Sequence, residues 1–140
     1  LVLDTTLRET VYEGHTSPWR EMRDLALQAR VPGRDLAIAA GEGAPSLVYY
    51  LRPNHWRASA RDPHPGIRVV PLAGDADLAL AAFADADAHA TAVRLLVLRS
   101  GEYEALRGEA LRDRWELQRV LPCPREHGDG TLYLLRRREG

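Results

Sequence analysis

A glycine-containing turn lies where α/β proteins commonly bind phosphate. Gly41, Glu42 and Gly43 stand between an apolar run and a short helical pattern, and a turn of this kind predicts a nucleotide or S-adenosylmethionine site. Pro45 removes a backbone N–H from the start of the helix, and Ser46 stands where a third glycine would allow close packing. The favoured interpretation is therefore a strand-to-helix turn, and cofactor binding through Gly41 and Gly43 is the alternative.

Arginine and aromatic residues form a second group of candidates, near an irregular stretch that begins at Arg52 and is rich in proline and glycine. Arginine recognises phosphate and carboxylate, and tryptophan offers a flat face to a sugar or a guanidinium. At least one of the two tyrosines before this stretch is expected to pack between helix and sheet. The predicted substrate or partner contacts are Tyr49, Tyr50, Arg52, Trp56, Arg57 and Arg61.

Two further groups contain residue types that bind metals or act as nucleophiles. His55, Asp62 and His64 share the irregular stretch, but their spacing matches no familiar zinc pattern. Cys123 and His127 lie four residues apart on a turn rich in proline and glycine, and a thiolate–imidazole pair needs a third group that orients the base. The sequence therefore predicts no catalytic residue, no metal site and no cofactor.

Composition limits the class of protein. The chain has 140 residues, 45% of them hydrophobic, and a net charge of −1. This charge argues against nucleic acid as a partner, because binding to phosphates requires a basic surface. The first residue is Leu1 and the only methionine is Met22, so we expect a piece of a longer polypeptide. We predict an entry segment over residues 1–16 and a single α/β domain over 17–140.

The elements that position these residues alternate between helix and strand. Ser17 and Pro18 are typical of a helix start, since a hydroxyl caps the helix and proline fits its first position. Leu36 to Ala40 is an unbroken apolar run, which predicts a strand covered on both faces. Further elements are predicted at Leu1–Leu3 (strand), Pro45–Leu51 (helix), Ile67–Leu72 (strand), Asp75–Ala86 (helix), Ala92–Leu98 (strand) and Ser100–Arg112 (helix).

Two more strands close the chain, Trp115 to Leu121 and Thr131 to Arg137, joined by nine residues. A connection of this length suits an antiparallel pair, whereas the earlier alternation implies parallel strands with right-handed crossovers. The predicted fold is an α/β three-layer sandwich with a mainly parallel sheet and an antiparallel C-terminal hairpin at its edge.

The order of these elements resembles the soluble, extracytoplasmic C-terminal domain of bacterial GT-C membrane glycosyltransferases, the relatives of protein mannosyltransferase and of the aminoarabinose transferase. The resemblance covers the chain from about Ser17 to its end. It differs from the usual pattern at Gly41–Gly43, where the family carries bulkier residues. The matching segments are Trp19–Glu21, Pro32–Ala40, Ala44–Leu51, Val93–Leu98, Trp115–Leu117 and Leu132–Leu135.

The resemblance implies that catalysis takes place elsewhere in a larger protein. In these transferases the catalytic aspartates lie between membrane helices that precede this domain, and the donor is a polyprenyl-phosphate sugar. The implied partners are the membrane-embedded part of the same polypeptide and a polyprenyl-phosphate sugar or a glycan or lipid acceptor. The implied location is the extracytoplasmic face of the bacterial cell membrane. A small nucleotide- or S-adenosylmethionine-dependent enzyme and a stand-alone interaction module remain as alternatives.

Overall fold

A computed structural model describes residues 18–52, 61–72, 79–81, 83, 91–106, 109–122, 124–125 and 128–139. The predicted strand Leu1–Leu3 and the predicted entry segment lie outside these residues. The first half of the chain contains helix α1 (18–28), strand β1 (Leu36–Ala40), helix α2 (Ala44–Leu51), strand β2 (Ile67–Pro71) and helix α3, which is described at 79–81 and 83. The second half contains β3 (Val93–Arg99), α4 (Ser100–Leu106), α5 (Glu109–Arg114), β4 (Trp115–Leu121), β5 (Pro124–Arg125), β6 (Gly128–Asp129) and β7 (Leu132–Arg137).

A mixed five-stranded sheet in the order β2-β1-β3-β7-β4 forms the centre of the fold. The three strands β2, β1 and β3 are parallel, with Leu36 opposite both Ile67 and Val93. Strand β7 is antiparallel to both of its neighbours, β3 and β4. The predicted α/β class, the parallel strands and the antiparallel C-terminal pair are therefore confirmed. Strand β4 forms the outer edge, and the last strand of the chain lies inside the sheet.

Helix α1 is described from Pro18 onward, and the predicted cap Ser17 lies outside the described residues. Its apolar positions Trp19, Met22 and Ala26 are buried and face the sheet. The helix ends at residue 28, before the turn at Val31–Arg34. Gly33 has a φ of 81° in that turn, a conformation that glycine adopts without the steric cost of a Cβ.

Strand β1 is buried at every position because both faces of the sheet carry packed side chains. Leu36, Ile38 and Ala40 belong to one core cluster, which also receives α1 and α2; we term this side the α1 face. Ala37 and Ala39 belong to a second cluster, which receives α3, α4 and α5; we term this side the α5 face. Alternate residues of a strand point to opposite faces, so the continuous apolar run is required by burial on both sides.

A β-bulge in strand β4 determines which side chains of that strand face each core cluster. Trp115 and Leu121 are both buried, yet Trp115 packs on the α5 face and Leu121 on the α1 face. Six positions apart in a regular strand, they would point the same way. The register shifts between Leu117 and Arg119, and the one extra residue reverses the alternation.

The helix predicted from Ser100 to Arg112 is described in two parts, α4 and α5. Residues Ser100–Leu106 and Glu109–Arg114 are helical, and residues 107 and 108 lie outside the described residues. Leu106 and Leu111 are both buried in the α5-face core, so both helices contribute apolar contacts to that side of the sheet.

Candidate functional site

The carboxyl ends of β1 and β3 form the place where α/β proteins commonly bind ligands. After β1 the chain passes through α2 to β2 on one side, and β3 pairs with β1 on the other. A crevice at such a topological switch point is the usual ligand site of open α/β sheets. The loop after β1 begins at Gly41, and α4 begins at Ser100 directly after β3. We term the space bounded by Gly41, Glu42, Arg99 and Glu102 the switch-point crevice.

The side chain of Glu102 fills this crevice. Its Oε2 accepts a hydrogen bond from the backbone N–H of Glu42, and its Oε1 accepts one from the backbone N–H of Arg99, both at 3.0 Å. The bond to Arg99 is half of a capping box, in which the third helical residue reaches back to the N-cap. The bond to Glu42 connects the end of β3 to the loop after β1, so one carboxylate holds both strand ends.

The two glycines of the loop are explained by contacts within the protein. A Cβ built at Gly41 would overlap the Glu102 carboxylate, and a Cβ built at Gly43 would overlap the ring of Trp19. Trp19 is 7% exposed and belongs to the α1-face core. The predicted position of the loop between a strand and a helix is confirmed, and its small residues admit a carboxylate and an indole from the same chain.

Backbone carbonyl groups accept hydrogen bonds from backbone N–H groups at the start of α2. Gly43 is the N-cap and makes no side-chain capping bond, and proline occupies the first turn. The N–H of Ala44 donates to the Gly41 carbonyl, and the N–H of Leu47 donates to the Gly43 carbonyl, each at 3.1 Å. No acidic residue lies in the first turn. The Glu102 carboxylate accepts the N–H of Glu42 beside this helix start.

The electrostatics of the switch-point crevice are mixed. Arg99 Nη1 lies 3.9 Å from Glu42 Oε2, and both side chains are exposed. Glu102 contributes a second carboxylate. Two carboxylates and one guanidinium do not favour an incoming phosphate, because like charges repel and the single cation already faces Glu42.

Arg52, which is predicted to contact a ligand, instead binds groups at the end of the irregular stretch. Its Nε lies 3.1 Å from Asp62 Oδ2, and its Nη2 donates a hydrogen bond to the Ile67 carbonyl. Asp62 Oδ1 also accepts the backbone N–H of His64 at 2.9 Å. That backbone hydrogen bond, together with the charge of Arg52, lowers the pKa of Asp62. Arg52 and Asp62 thus fix the return of the chain into β2.

The remaining predicted contact residues differ in exposure. Tyr49 is 54% exposed, whereas Tyr50 packs against the α1-face core. The two rings meet edge to face at 5.3 Å, as expected if one of them anchors the helix. Arg61 is exposed. Trp56, Arg57 and His55 lie outside the described residues, as do Cys123, Glu126 and His127.

Glu102 is the important residue that the sequence analysis missed. The signal for it is a glutamate at the third position of a helix that follows a strand directly, which is the capping-box spacing. Its second bond, to the N–H of Glu42, depends on the pairing of β1 with β3 and has no local signal. Within the described ranges, no group of three or more His, Cys, Asp or Glu side chains is arranged to hold a metal ion.

Comparison of the chain with protein-family models, with curated proteins and with solved structures finds no match. Among the described helices, none has the length and apolar character needed to cross a bilayer.

Proposed function

We propose that this chain is a non-catalytic accessory domain of an integral membrane glycosyltransferase that uses a polyprenyl-phosphate sugar. In this role it lies at the extracytoplasmic face of the bacterial cell membrane, beside the membrane-embedded part of the same polypeptide. There it frames the active site or contacts the glycan or lipid acceptor. Its sheet, with helices packed on each face, would form a three-layer sandwich that serves as a rigid support.

The observation that carries the proposal is the position of Glu102 in the switch-point crevice. A catalytic or cofactor-binding α/β domain normally leaves this crevice to its ligand. Here the carboxylate binds the backbone of Glu42 and Arg99 and packs over Gly41. The residues best placed for chemistry therefore stabilise the junction of the strands, which supports a structural role for the domain.

The order of the segments matching the GT-C domain provides the second support. Two of these segments contain β1 and α2, whose described bounds, Leu36–Ala40 and Ala44–Leu51, match the predicted ones within one residue. The exposed Tyr49 and Arg61 lie near the end of α2 and before β2. They are the described candidates for contact with an acceptor or with the membrane-embedded part.

The direct test is to determine the coding sequence that precedes Leu1 and to assay the protein it encodes. We expect a series of long apolar helices upstream, with acidic residues in the loops between them. Deleting residues 17–140 from that protein should reduce glycosyl transfer to its acceptor in membranes. A matched variant, Asp113→Asn on the exposed side of α5, should retain transfer.

Three outcomes would contradict the proposal. A parent protein without membrane helices excludes an integral membrane transferase. Calorimetric binding of S-adenosylmethionine or a nucleotide, weakened by Gly43→Ala, would favour a cofactor-dependent enzyme. A gene that encodes this domain alone, with a partner that co-purifies, would favour an interaction module.

A further inference from the structure

A groove on the α5 face has features of a ligand site and contains none of the residues predicted from the sequence. Its volume is about 550 Å³, within the usual range for small-molecule pockets. It lies between α5, the edge strand β4 and the inner strand β7. The residues used in the following argument are Leu111, Arg112, Trp115, Leu117, Leu135 and Arg138.

The floor of the groove is apolar and well supported. Leu111, Trp115 and Leu135 are each no more than 3% exposed, and the Trp115 ring stacks on Phe83 at a centroid distance of 6.0 Å. Leu117, by contrast, is a large apolar side chain that is 43% exposed. Its exposure in the edge strand leaves apolar surface available to a ligand.

An indole donor adds a polar feature to this floor. The Nε1 of Trp115 is buried and has no hydrogen-bond partner among the described residues. A buried donor without an acceptor is unfavourable and uncommon in folded proteins. Because this atom is closed to solvent, a molecule in the groove would change the surroundings of the Trp115 ring without bonding directly to its N–H.

The two charged lining residues are both arginines, and none of the lining residues is acidic. Arg112 is exposed and has no ion pair within the described part of the chain. Arg138 Nη1 lies 3.9 Å from Glu116 Oε2, with both side chains more than half exposed. Such a long, exposed ion pair contributes little, so Arg138 can turn to a ligand at small cost. The groove thus presents two guanidinium groups beside apolar surface.

We propose that this groove binds a small amphipathic anion, a hydrocarbon body that carries one carboxylate or phosphate. The anionic group pairs with Arg112 and Arg138, whose planar forks suit either head group. The hydrocarbon covers Leu117 and the buried floor around Trp115. This assignment stands on the groove alone and does not depend on the proposed glycosyltransferase role.

Binding is tested on the purified chain by calorimetry with octyl phosphate and octanoate, at concentrations below micelle formation. The comparison molecules are octanol, which lacks the charge, and inorganic phosphate, which lacks the hydrocarbon. We expect the two amphiphiles to bind at least about tenfold more tightly than either comparison molecule, because only they use both parts of the groove. The amphiphile that binds with the higher affinity identifies the preferred head group. Sedimentation with vesicles of neutral phospholipid containing phosphatidate then distinguishes a membrane lipid from a free amphiphile as the source.

Variants with matched controls locate the site. The double variant Arg112→Gln/Arg138→Gln should lose about tenfold or more in affinity for octyl phosphate, and Leu117→Gln should lose affinity for both amphiphiles. Arg119→Gln removes one positive charge from the opposite face of β4, where Arg119 lies near Glu21, and should bind normally. Val120→Gln changes an exposed apolar residue of the same strand outside the groove and should also bind normally.

Spectroscopy provides a readout that does not depend on affinity. The indole N–H resonance of Trp115, assigned with Trp115→Phe, should shift when octyl phosphate binds. The proposal is overturned if octanol binds as well as octyl phosphate, if the arginine double variant keeps full affinity, or if millimolar octyl phosphate produces neither heat nor a shift of this resonance. Loss of affinity in Arg119→Gln equal to that in the double variant would also overturn it, since net charge alone would then explain binding.

Discussion

Replacing Gly41 and Glu102 together tests whether the Glu102 carboxylate closes the switch-point crevice. Glu102 accepts two backbone N–H bonds, from Glu42 and from Arg99. Hydrogen bonds to a charged group contribute about 1.5–3 kcal/mol each when well shielded. Glu102 is only half-buried, so we expect Glu102→Ala to lower the free energy of unfolding by about 2 kcal/mol in total.

Gly41→Ala should act through the same carboxylate. A Cβ at this position would overlap Glu102 and displace the carboxylate from the Glu42 N–H, which costs about 1–2 kcal/mol. Gly41 is not in the left-handed region, because Gly33 and Gly66 are the positive-φ glycines of the described residues. Once Glu102 is alanine, the Cβ meets no obstacle, and the alanine itself should be neutral or stabilise by about 0.4–1 kcal/mol.

The double variant should therefore be less destabilised than the sum of the single variants by about 1–3 kcal/mol. Urea unfolding at 25 °C, followed by circular dichroism, measures each free energy, and for a chain of this size 2 kcal/mol corresponds to a melting-temperature shift of about 8 °C. Glu102→Gln keeps one acceptor oxygen and should lose about half as much as Glu102→Ala, while Asp113→Asn controls for loss of a carboxylate charge. Additive effects of the two substitutions would refute the reasoning, because they would mean that the Cβ and the carboxylate do not compete for one space.

Two further predictions concern contacts at the ends of β1 and β3. Gly43→Ala should lower the free energy of unfolding by about 1–3 kcal/mol, because its Cβ meets the rigid ring of Trp19 and overpacking of this kind is costly. Adding Trp19→Leu to the same chain should recover part of this loss, as measured by urea unfolding. Glu139→Gln should cost less than about 1 kcal/mol at neutral pH, since the Arg34–Glu139 pair at 2.5 Å is half exposed. The hydrogen bond from Arg34 lowers the pKa of Glu139, so the stabilisation is present above the ordinary glutamate pKa and disappears as the pH falls below about 4. A difference between wild type and Glu139→Gln that persists at pH 2.5 would contradict this assignment.

The elements with a strong local pattern were predictable from the sequence. Strands β1 and β4 have the predicted bounds, Leu36–Ala40 and Trp115–Leu121, and α2 differs from its predicted start by one residue. The unbroken apolar run of β1 and the prolines that bound α2, Pro45 and Pro53, are local signals, because burial and backbone restriction are properties of the local chain.

The arrangement of the last two strands depended on information that a hairpin pattern does not contain. The prediction of an antiparallel pair at the edge does not decide which of its two strands is the outer one. In the structure β7 is inside, and its Leu132, Leu134 and Leu135 are buried, whereas five consecutive residues of β4 are exposed. The denser apolar pattern of β7 accounts for its inner position, since an inner strand is covered on both faces. The bulge that sends Trp115 and Leu121 to opposite faces is a property of the pairing with β7.

The sequence predicted where the candidate site lies, but not which side chain fills it. The loop Gly41–Gly43 follows a strand and precedes a helix, as its sequence indicates, but the partner of Gly41 is a glutamate 61 positions away in the chain. The same applies to Arg52, whose guanidinium binds Asp62 and the Ile67 carbonyl. Arginine and glycine are residue types that serve ligands and internal contacts equally well, and only the tertiary arrangement decides between the two uses.

The switch-point crevice and the α5-face groove differ in what a ligand would have to displace. An anion entering the crevice must break two backbone hydrogen bonds to Glu102 and approach the charge of Glu42. An anion entering the groove meets Arg112, which makes no described ion pair, and Arg138, which exchanges only a long, exposed contact with Glu116. The desolvation and competition costs are therefore smaller in the groove, where apolar surface at Leu117 is already exposed. If the domain binds an anionic molecule, the physical argument favours the antiparallel edge of the sheet over the strand ends that α/β proteins usually use.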